Sequence, residues 1–415
     1  MPNSFEANLD KYAELAIKVG LNLQAGQALL IDAPLESAPL VRLAAKHAYQ
    51  GGARLVEVFW RDEALTRIRF QYAPRDSFGN VSEGQAHAAR GYAEQGDAFL
   101  GISGQDPDLL RDQDPALVAE YQKALAEKFR PVNELAMRDA YNWLVLAAPS
   151  KQWAARVFPH VPTSEQTARL WDAIFSACRV YESDPVAAWQ QHVRELSLRR
   201  DELNQKRYDA LHFFASETDL TVGLVEDHLW VGASTPTQRG LLFVGNMPTE
   251  EVFTMPHRAR VNGIVTATLP LSIRSRVIDK FTVTFENGRV TNAVASNDQA
   301  VLDELLATDE GARHLGEVAL VPHSSPISKT GILFFNALFD ENAASHLALG
   351  KSYPTNIRNG SHLSEMELAQ RGANDSLIHL DFMIGSSEMN VDGIRADGSR
   401  EPIMRNGEWA FALGQ

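Results

Sequence analysis

Four short strand-like segments mark the first third of the chain, at residues 28–33, 53–60, 98–102 and 143–147; the first is an apolar run broken only by Asp32, and the second carries Arg54 and Glu57. Runs of this length without apolar/polar alternation fit strands covered on both faces. Between the first two lies a stretch of helical character at 37–50, closed by Gly51-Gly52, which suit a helix C-terminus. Strands alternating with helices imply a parallel sheet with helices on its faces. Residues 164–206, rich in Arg, Glu, Gln and Leu and interrupted by Asp184-Pro185, read as a long helical connection. Beyond it the texture changes to closely spaced strand-like segments at 210–215, 219–225, 228–231, 263–268, 280–285 and 378–383. Glu286-Asn287-Gly288-Arg289 is a hairpin signal, because Asn-Gly adopts the left-handed backbone that a two-residue turn requires. The pattern therefore predicts an α/β N-terminal domain with a parallel sheet and a helical connection over 1–205. An α+β, mostly antiparallel C-terminal domain follows over 206–415.

Composition narrows the function classes. Of 415 residues, 45% are hydrophobic and 22% charged, as in soluble globular proteins. Lys plus Arg number 39 against 53 Asp plus Glu, a formal charge of −14, so a nucleic-acid partner is not expected. The one cysteine, Cys178, lies in an apolar stretch and reads as core; disulfides, thiolate zinc clusters and paired-cysteine redox chemistry are excluded. The first twenty residues carry Glu6, Asp10 and Glu14 and lack the profile of a signal peptide. No run approaches the roughly 20 apolar residues that span a bilayer. A cytoplasmic protein with no membrane partner is the expectation.

Several catalytic frames are missing. No Gly-x-Gly-x-x-Gly or Walker glycine loop occurs, and Gly101-Ile102-Ser103-Gly104 is too little to imply a nucleotide. Gly-x-Ser-x-Gly and His-Glu-x-x-His are also absent. His323-Ser324-Ser325, bracketed by Pro322 and Pro326, reads as a loop, and His257 is ambiguous between a substrate-facing and a structural role.

What remains is a dispersed set of oxygen and nitrogen ligands. In a strand, His379 and Asp381 project to one side and Leu380 to the other. The segment 339–353 has an Ala-rich centre and a stop at Gly350, which predicts a helix with His346 near its end and Tyr353 held extended before Pro354. Glu250 and Glu251 follow Pro248-Thr249, and Glu317 heads an apolar run, where an ionised carboxylate is costly unless paired, protonated or metal-bound. Imidazole plus carboxylate without thiolate suits Zn, Co, Mn or Fe(II), and three carboxylates could balance two divalent ions.

The segments 246–254, 316–320, 338–343, 346–350 and 379–385 together resemble the M29 metallo-aminopeptidases, of the aminopeptidase T and PepS type, in the family's order. The resemblance implies two divalent metal ions (Zn, Co or Mn) held by Glu250, Glu317, His346, His379 and Asp381. Tyr353 would stand at the site, Glu317 would bridge, and Glu341 would be a further member of the shell. Catalysis would involve Glu250, Glu317 and Tyr353; on general chemical grounds Glu251 stays open between a proton shuttle and a carboxylate pointing away from the site. It also implies an N-terminal α/β domain, a C-terminal catalytic domain, a homodimer, and peptides with a free N-terminus as substrates. Two alternatives stay open: a mononuclear Fe(II) ring-cleaving dioxygenase using His346, His379 and Asp381, and a catalytically silent peptide-binding protein.

Overall fold

The computed structural model describes residues 4–273 and 276–412. Met1–Asn3 of the N-terminal stretch considered above lie outside the described residues. The chain forms two compact units, Met1–Gln190 with Ser234–Pro248, and Gln191–Ala233 with Thr249–Gln415. Division thus falls inside the helix Pro185–Lys206 rather than after it, and the segment Ser234–Pro248 groups with the first unit.

The first unit holds a four-stranded parallel sheet in the order Leu55–Arg61, Ala28–Pro34, Ala98–Ser103, Trp143–Ala147. Ala28–Pro34 is central, with Leu29, Leu30 and Ile31 fully buried, which explains the apolar run at its start; Asp32 is partly exposed and pairs with Arg61. The helix Ala38–Gln50 follows and ends where Gly51 and Gly52 follow, the latter at φ +90°. Gly104, at φ +130°, would drive a Cβ into the Ala148 carbonyl, so this glycine serves close backbone packing and not a phosphate. Cys178 is fully buried. The expected helical connection is two helices, Thr163–Ala177 and Pro185–Lys206, broken around Asp184-Pro185.

The second unit is built on two antiparallel sheets. The larger has eight strands in the order Arg289–Ala295, Phe281–Glu286, Pro256–Thr266, Thr218–Leu224, Ala210–Ala215, Asn390–Ile394, Arg400–Arg405, Glu408–Trp409. Asn287 (φ 49°) and Gly288 (φ 82°) make its tight hairpin, as the sequence indicated. The smaller sheet runs His379–Met383, His346–Gly350, Leu315–Leu320, Val252–Thr254, Val231–Gly232. One continuous core joins them, with Phe213, Val222, Val283 and Val391 from the larger sheet and Val318, Leu347, Leu349 and Phe382 from the smaller. That core takes one face of the smaller sheet and leaves the other for polar side chains.

Two elements differ from expectation. The Ala-rich segment holds only a short helix, Ala337–Asp340, and a single 3₁₀ turn, Glu341–Ala343, before His346–Gly350 enters the sheet as a strand. This strand is buried at all five positions, so pairing on both edges and burial outweigh its local helix preference. Of the strand expected at 228–231, Val231 joins the short strand Val231–Gly232, and His228 makes only an isolated bridge to Ile357.

Candidate metal centre

Three neighbouring strands of the smaller sheet assemble the site by register alone. Glu317 pairs with Ala348, and Ala348 pairs with Asp381, so these three side chains form a row across one face. His346 stands two residues before Ala348 on the same face, and His379 two residues before Asp381. Ala348 is small, and Gly350, opposite His379, has no side chain; the middle of the row is left open. The alternate residues Val318, Leu347, Leu349 and Phe382 belong to the core.

The fourth strand decides which of the two adjacent glutamates joins. Phe253 pairs with Ala319, on the face shared by Glu317 and His346. Two residues earlier in the extended chain, Glu251 has the same parity, while Glu250 has the parity of Val252 and the core. The distances agree. Glu251 Oε2 lies 3.1 Å from His346 Nε2, whereas Glu250 Oε2 lies 3.6 Å from His192 Nε2, which donates to the Thr249 carbonyl at 2.7 Å. Both glutamates are buried. The structure thus brings Glu251 beside His346 and Glu250 beside His192.

Glu317 faces two groups at once. Its Oε1 is 3.4 Å from His346 Nε2, and its Oε2 is 3.7 Å from His379 Nε2. Asp381 Oδ1 lies 3.4 Å from the same His379 nitrogen. Two clusters result, Glu251–Glu317–His346 and Glu317–His379–Asp381, each able to present three ligand atoms to one cation, with Glu317 common to both. The first is buried throughout, while His379 and Asp381 retain 21% and 15% of their side-chain exposure. Tyr353 meets the His379 ring edge-on at 4.9 Å between centroids and approaches Phe253 at 6.0 Å.

Both imidazoles are oriented in the same way. His346 Nδ1 donates to the Ala344 carbonyl at 3.1 Å, and His379 Nδ1 to the Lys351 carbonyl at 2.7 Å. A carbonyl can only accept, so in the neutral ring each Nε2 is a lone pair aimed into the cluster, the arrangement found behind metal-bound histidines.

The electrostatics call for added positive charge. Among the described residues no Lys or Arg pairs with Glu251, Glu317, Glu341 or Asp381. Burial, reinforced by Asp381 and Glu251, raises the Glu317 carboxyl above its ordinary range, and the Glu341 carboxyl goes well above it for the same reasons. Burial opposes charging His379, yet Asp381 and Glu317 hold its proton up to about 10; Glu251 and Glu317 likewise lift His346 well above the usual imidazole range. Asp381, against its burial, is drawn below the usual carboxylate range by His379. Burial and the surrounding carboxylates keep the Tyr353 phenol protonated, a hydrogen-bond donor. Glu251 Oε2 and Asp381 Oδ1 are buried and receive no hydrogen bond. Facing lone pairs, orphaned carboxylate oxygens and shifts that favour proton uptake fit divalent cations held by nitrogen and oxygen ligands.

Comparisons with known proteins agree with this chemistry. The family model described as thermophilic metalloprotease (M29) matches residues 5–409. Aminopeptidase 2 of Geobacillus stearothermophilus is 50% identical over 411 residues, 99% of this chain and all of that protein. Aminopeptidase T of Thermus aquaticus is 45% identical over 413 residues, again 99% of this chain and all of the relative. Among solved structures, wild-type AmpT from Thermus thermophilus superposes with a TM-score of 0.93 at 44% identity, covering 98% of this chain and 100% of that one. A 2,5-dihydroxypyridine dioxygenase from Pseudomonas putida shares the fold at a TM-score of 0.53 and 12% identity, covering 98% of each chain. With the whole frame and its ligand-bearing strands matched from end to end, the chain belongs to the M29 family of thermophilic metalloproteases.

Proposed function

We propose that this protein is a metal-dependent aminopeptidase that removes the first residue from peptides at a centre for two divalent cations. The observation that carries the reading is the double engagement of Glu317, one carboxylate oxygen toward each histidine-containing cluster. The proposed ligands are Glu251, Glu317 and His346 on one side and Glu317, His379 and Asp381 on the other, with Glu341 and Tyr353 lining the centre. When bound, the cations would supply Lewis-acid polarisation of a scissile carbonyl and acidify a water.

The chain's own groups do the rest. The Ala344 and Lys351 carbonyls fix both imidazoles with Nε2 inward. Tyr353, kept as a phenol, is the donor available to an oxyanion developing on the substrate carbonyl. Glu341, a carboxylate beyond the two clusters whose proton affinity is raised by burial and by its neighbours, suits proton transfer to the leaving amine or pairing with the substrate's α-ammonium. Glu250 backs the centre from the far side of its strand. A homodimer and a cytoplasmic location complete the proposal; among the described residues no helix is long and apolar enough to cross a membrane.

The test is metal analysis by mass spectrometry together with hydrolysis of aminoacyl-nitroanilides, with and without chelator. Two equivalents of metal per chain and chelator-sensitive release of nitroaniline are expected. Cleavage unaffected by chelation overturns the proposal. The shared fold of the dioxygenase supports only a weaker alternative, since an iron triad of two histidines and one carboxylate has no use for Glu251 or Glu317. Oxygen uptake with a dihydroxylated aromatic, and no peptide cleavage, would reverse the order.

A further inference from the structure

Two buried asparagines outside the ligand set are each tied to a different half of the centre. Asn342 is fully buried in the turn after the helix Ala337–Asp340. Its Oδ1 accepts the Glu250 N–H at 2.7 Å, fixing the main chain one residue before Glu251. Its Nδ2 donates to the Leu338 carbonyl at 2.9 Å and, more weakly at 3.4 Å, to Glu341 Oε1. One side chain therefore spans the backbone that aims Glu251 and the turn that carries Glu341.

Asn374 performs the corresponding task on the other side. Its Nδ2 donates to the Gly350 carbonyl at 2.6 Å and the Gly311 carbonyl at 2.8 Å. Its backbone N–H donates to Ser352 Oγ at 3.1 Å, and its carbonyl accepts the Ser352 N–H at 2.9 Å. These bonds bracket Lys351, whose carbonyl orients His379, and they lead directly into Tyr353. Asn374 Oδ1 is buried and receives no hydrogen bond, so the side chain is held through its donors alone.

We infer that Asn342 and Asn374 are independent positioning residues, Asn342 setting the Glu251–His346 half of the metal centre and Asn374 the His379–Asp381 half. Neither reaches the reacting atoms. The only ligand shared by the halves is Glu317, which bonds to neither asparagine. This inference rests on the two-metal reading of the centre.

Selectivity is the testable content. Chelator-stripped protein is titrated with Co²⁺ and followed by calorimetry and by visible absorption of the bound ion. Glu251→Gln and Asp381→Asn, each lacking a ligand of one half, assign the two binding steps. Asn342→Ala should weaken the step that Glu251→Gln removes by about 10–100-fold, the usual consequence of losing a group that orients a ligand, and leave the other step within about threefold. Asn374→Ala should do the reverse. Should either alanine variant fail to fold, Asn342→Ser or Asn374→Ser is used, with the same pattern expected at smaller amplitude. Equal weakening of both steps by each variant, or no weakening, or the crossed pattern, overturns the assignment while the two-metal reading stands. A wild-type chain that takes up one Co²⁺ or none overturns the two-metal reading and this assignment with it.

Discussion

Gly316 is the position where the smallest added group should do the most damage. It is the extra residue of a bulge: Leu315 pairs with Leu349 and Glu317 with Ala348, so one residue on the Glu317 strand has no counterpart. A Cβ at Gly316 would lie 2.5 Å from the Lys351 carbonyl oxygen and 2.6 Å from its carbon, and closer still to the Gly350 oxygen. Ordinary carbon–oxygen approach is about 3.3 Å, so Gly316→Ala must separate these main chains by roughly 1 Å. The opposing chain has little slack. The Gly350 N–H donates to the His314 carbonyl, the Lys351 N–H to the Ile378 carbonyl, and the Gly350 oxygen is held by Asn374. Because the Lys351 carbonyl orients His379, a shift of this size turns that imidazole and displaces Glu317 in the same movement. Overpacking of this kind costs about 1–3 kcal/mol of stability, whereas a misplacement near 1 Å in a catalytic constellation costs about a hundredfold in rate. The expected result is a folded protein with a modestly lower Tm and kcat/KM on leucyl-nitroanilide down by about 10²-fold at saturating Co²⁺. Gly316→Ala retaining activity within about twofold of the wild type, at that metal concentration, would refute the link from bulge to histidine.

Three further outcomes follow from the same structure. Gly91 lies inside the helix Glu83–Gln95, and a Cβ there meets nothing within 4 Å, so Gly91→Ala should raise stability by about 0.5–1 kcal/mol in urea unfolding with activity unchanged; destabilisation would contradict it. Burial lifts Asp139 from its ordinary 3.8 to about 6, although the Thr235 hydroxyl donates to it. The folded state thus favours the protonated carboxyl; that stabilisation is complete below pH 3.8 and is lost as pH rises through 6. Asp139→Asn should therefore gain about 2 kcal/mol on the wild type between pH 4 and pH 7, read from urea unfolding at each pH, and a difference independent of pH would refute it. Chelation should lower the Tm, since ions at a thousandfold excess over Kd contribute about 4 kcal/mol to the folded state; an unchanged Tm in chelator would contradict a bound cation.

The legible parts of the sequence were those where one segment carries its own signal. Short apolar-rich segments located all four parallel strands, Asn-Gly located the hairpin, and the period of two placed His379 beside Asp381. His346 was misplaced on a helix because a strand buried at every position shows no alternation, leaving only alanine's helix preference to read. Choosing between Glu250 and Glu251 needed the pairing of Phe253 with Ala319, a relation between segments more than sixty residues apart. The orienting carbonyls of Ala344 and Lys351 leave no trace in residue identity, because every residue has one.

The smaller sheet is two-sided, with Glu317, His346, His379 and Asp381 on one surface and Val318, Leu347, Leu349 and Phe382 on the other. Slipping any one of its three ligand-bearing strands by a single position would turn carboxylates and imidazoles toward the hydrocarbon interior and aliphatic groups outward. Misaligned forms are thus penalised twice, by buried charge and by exposed aliphatic surface. Length changes of one residue within 315–320, 346–350 or 379–383 should be the least tolerated in the chain.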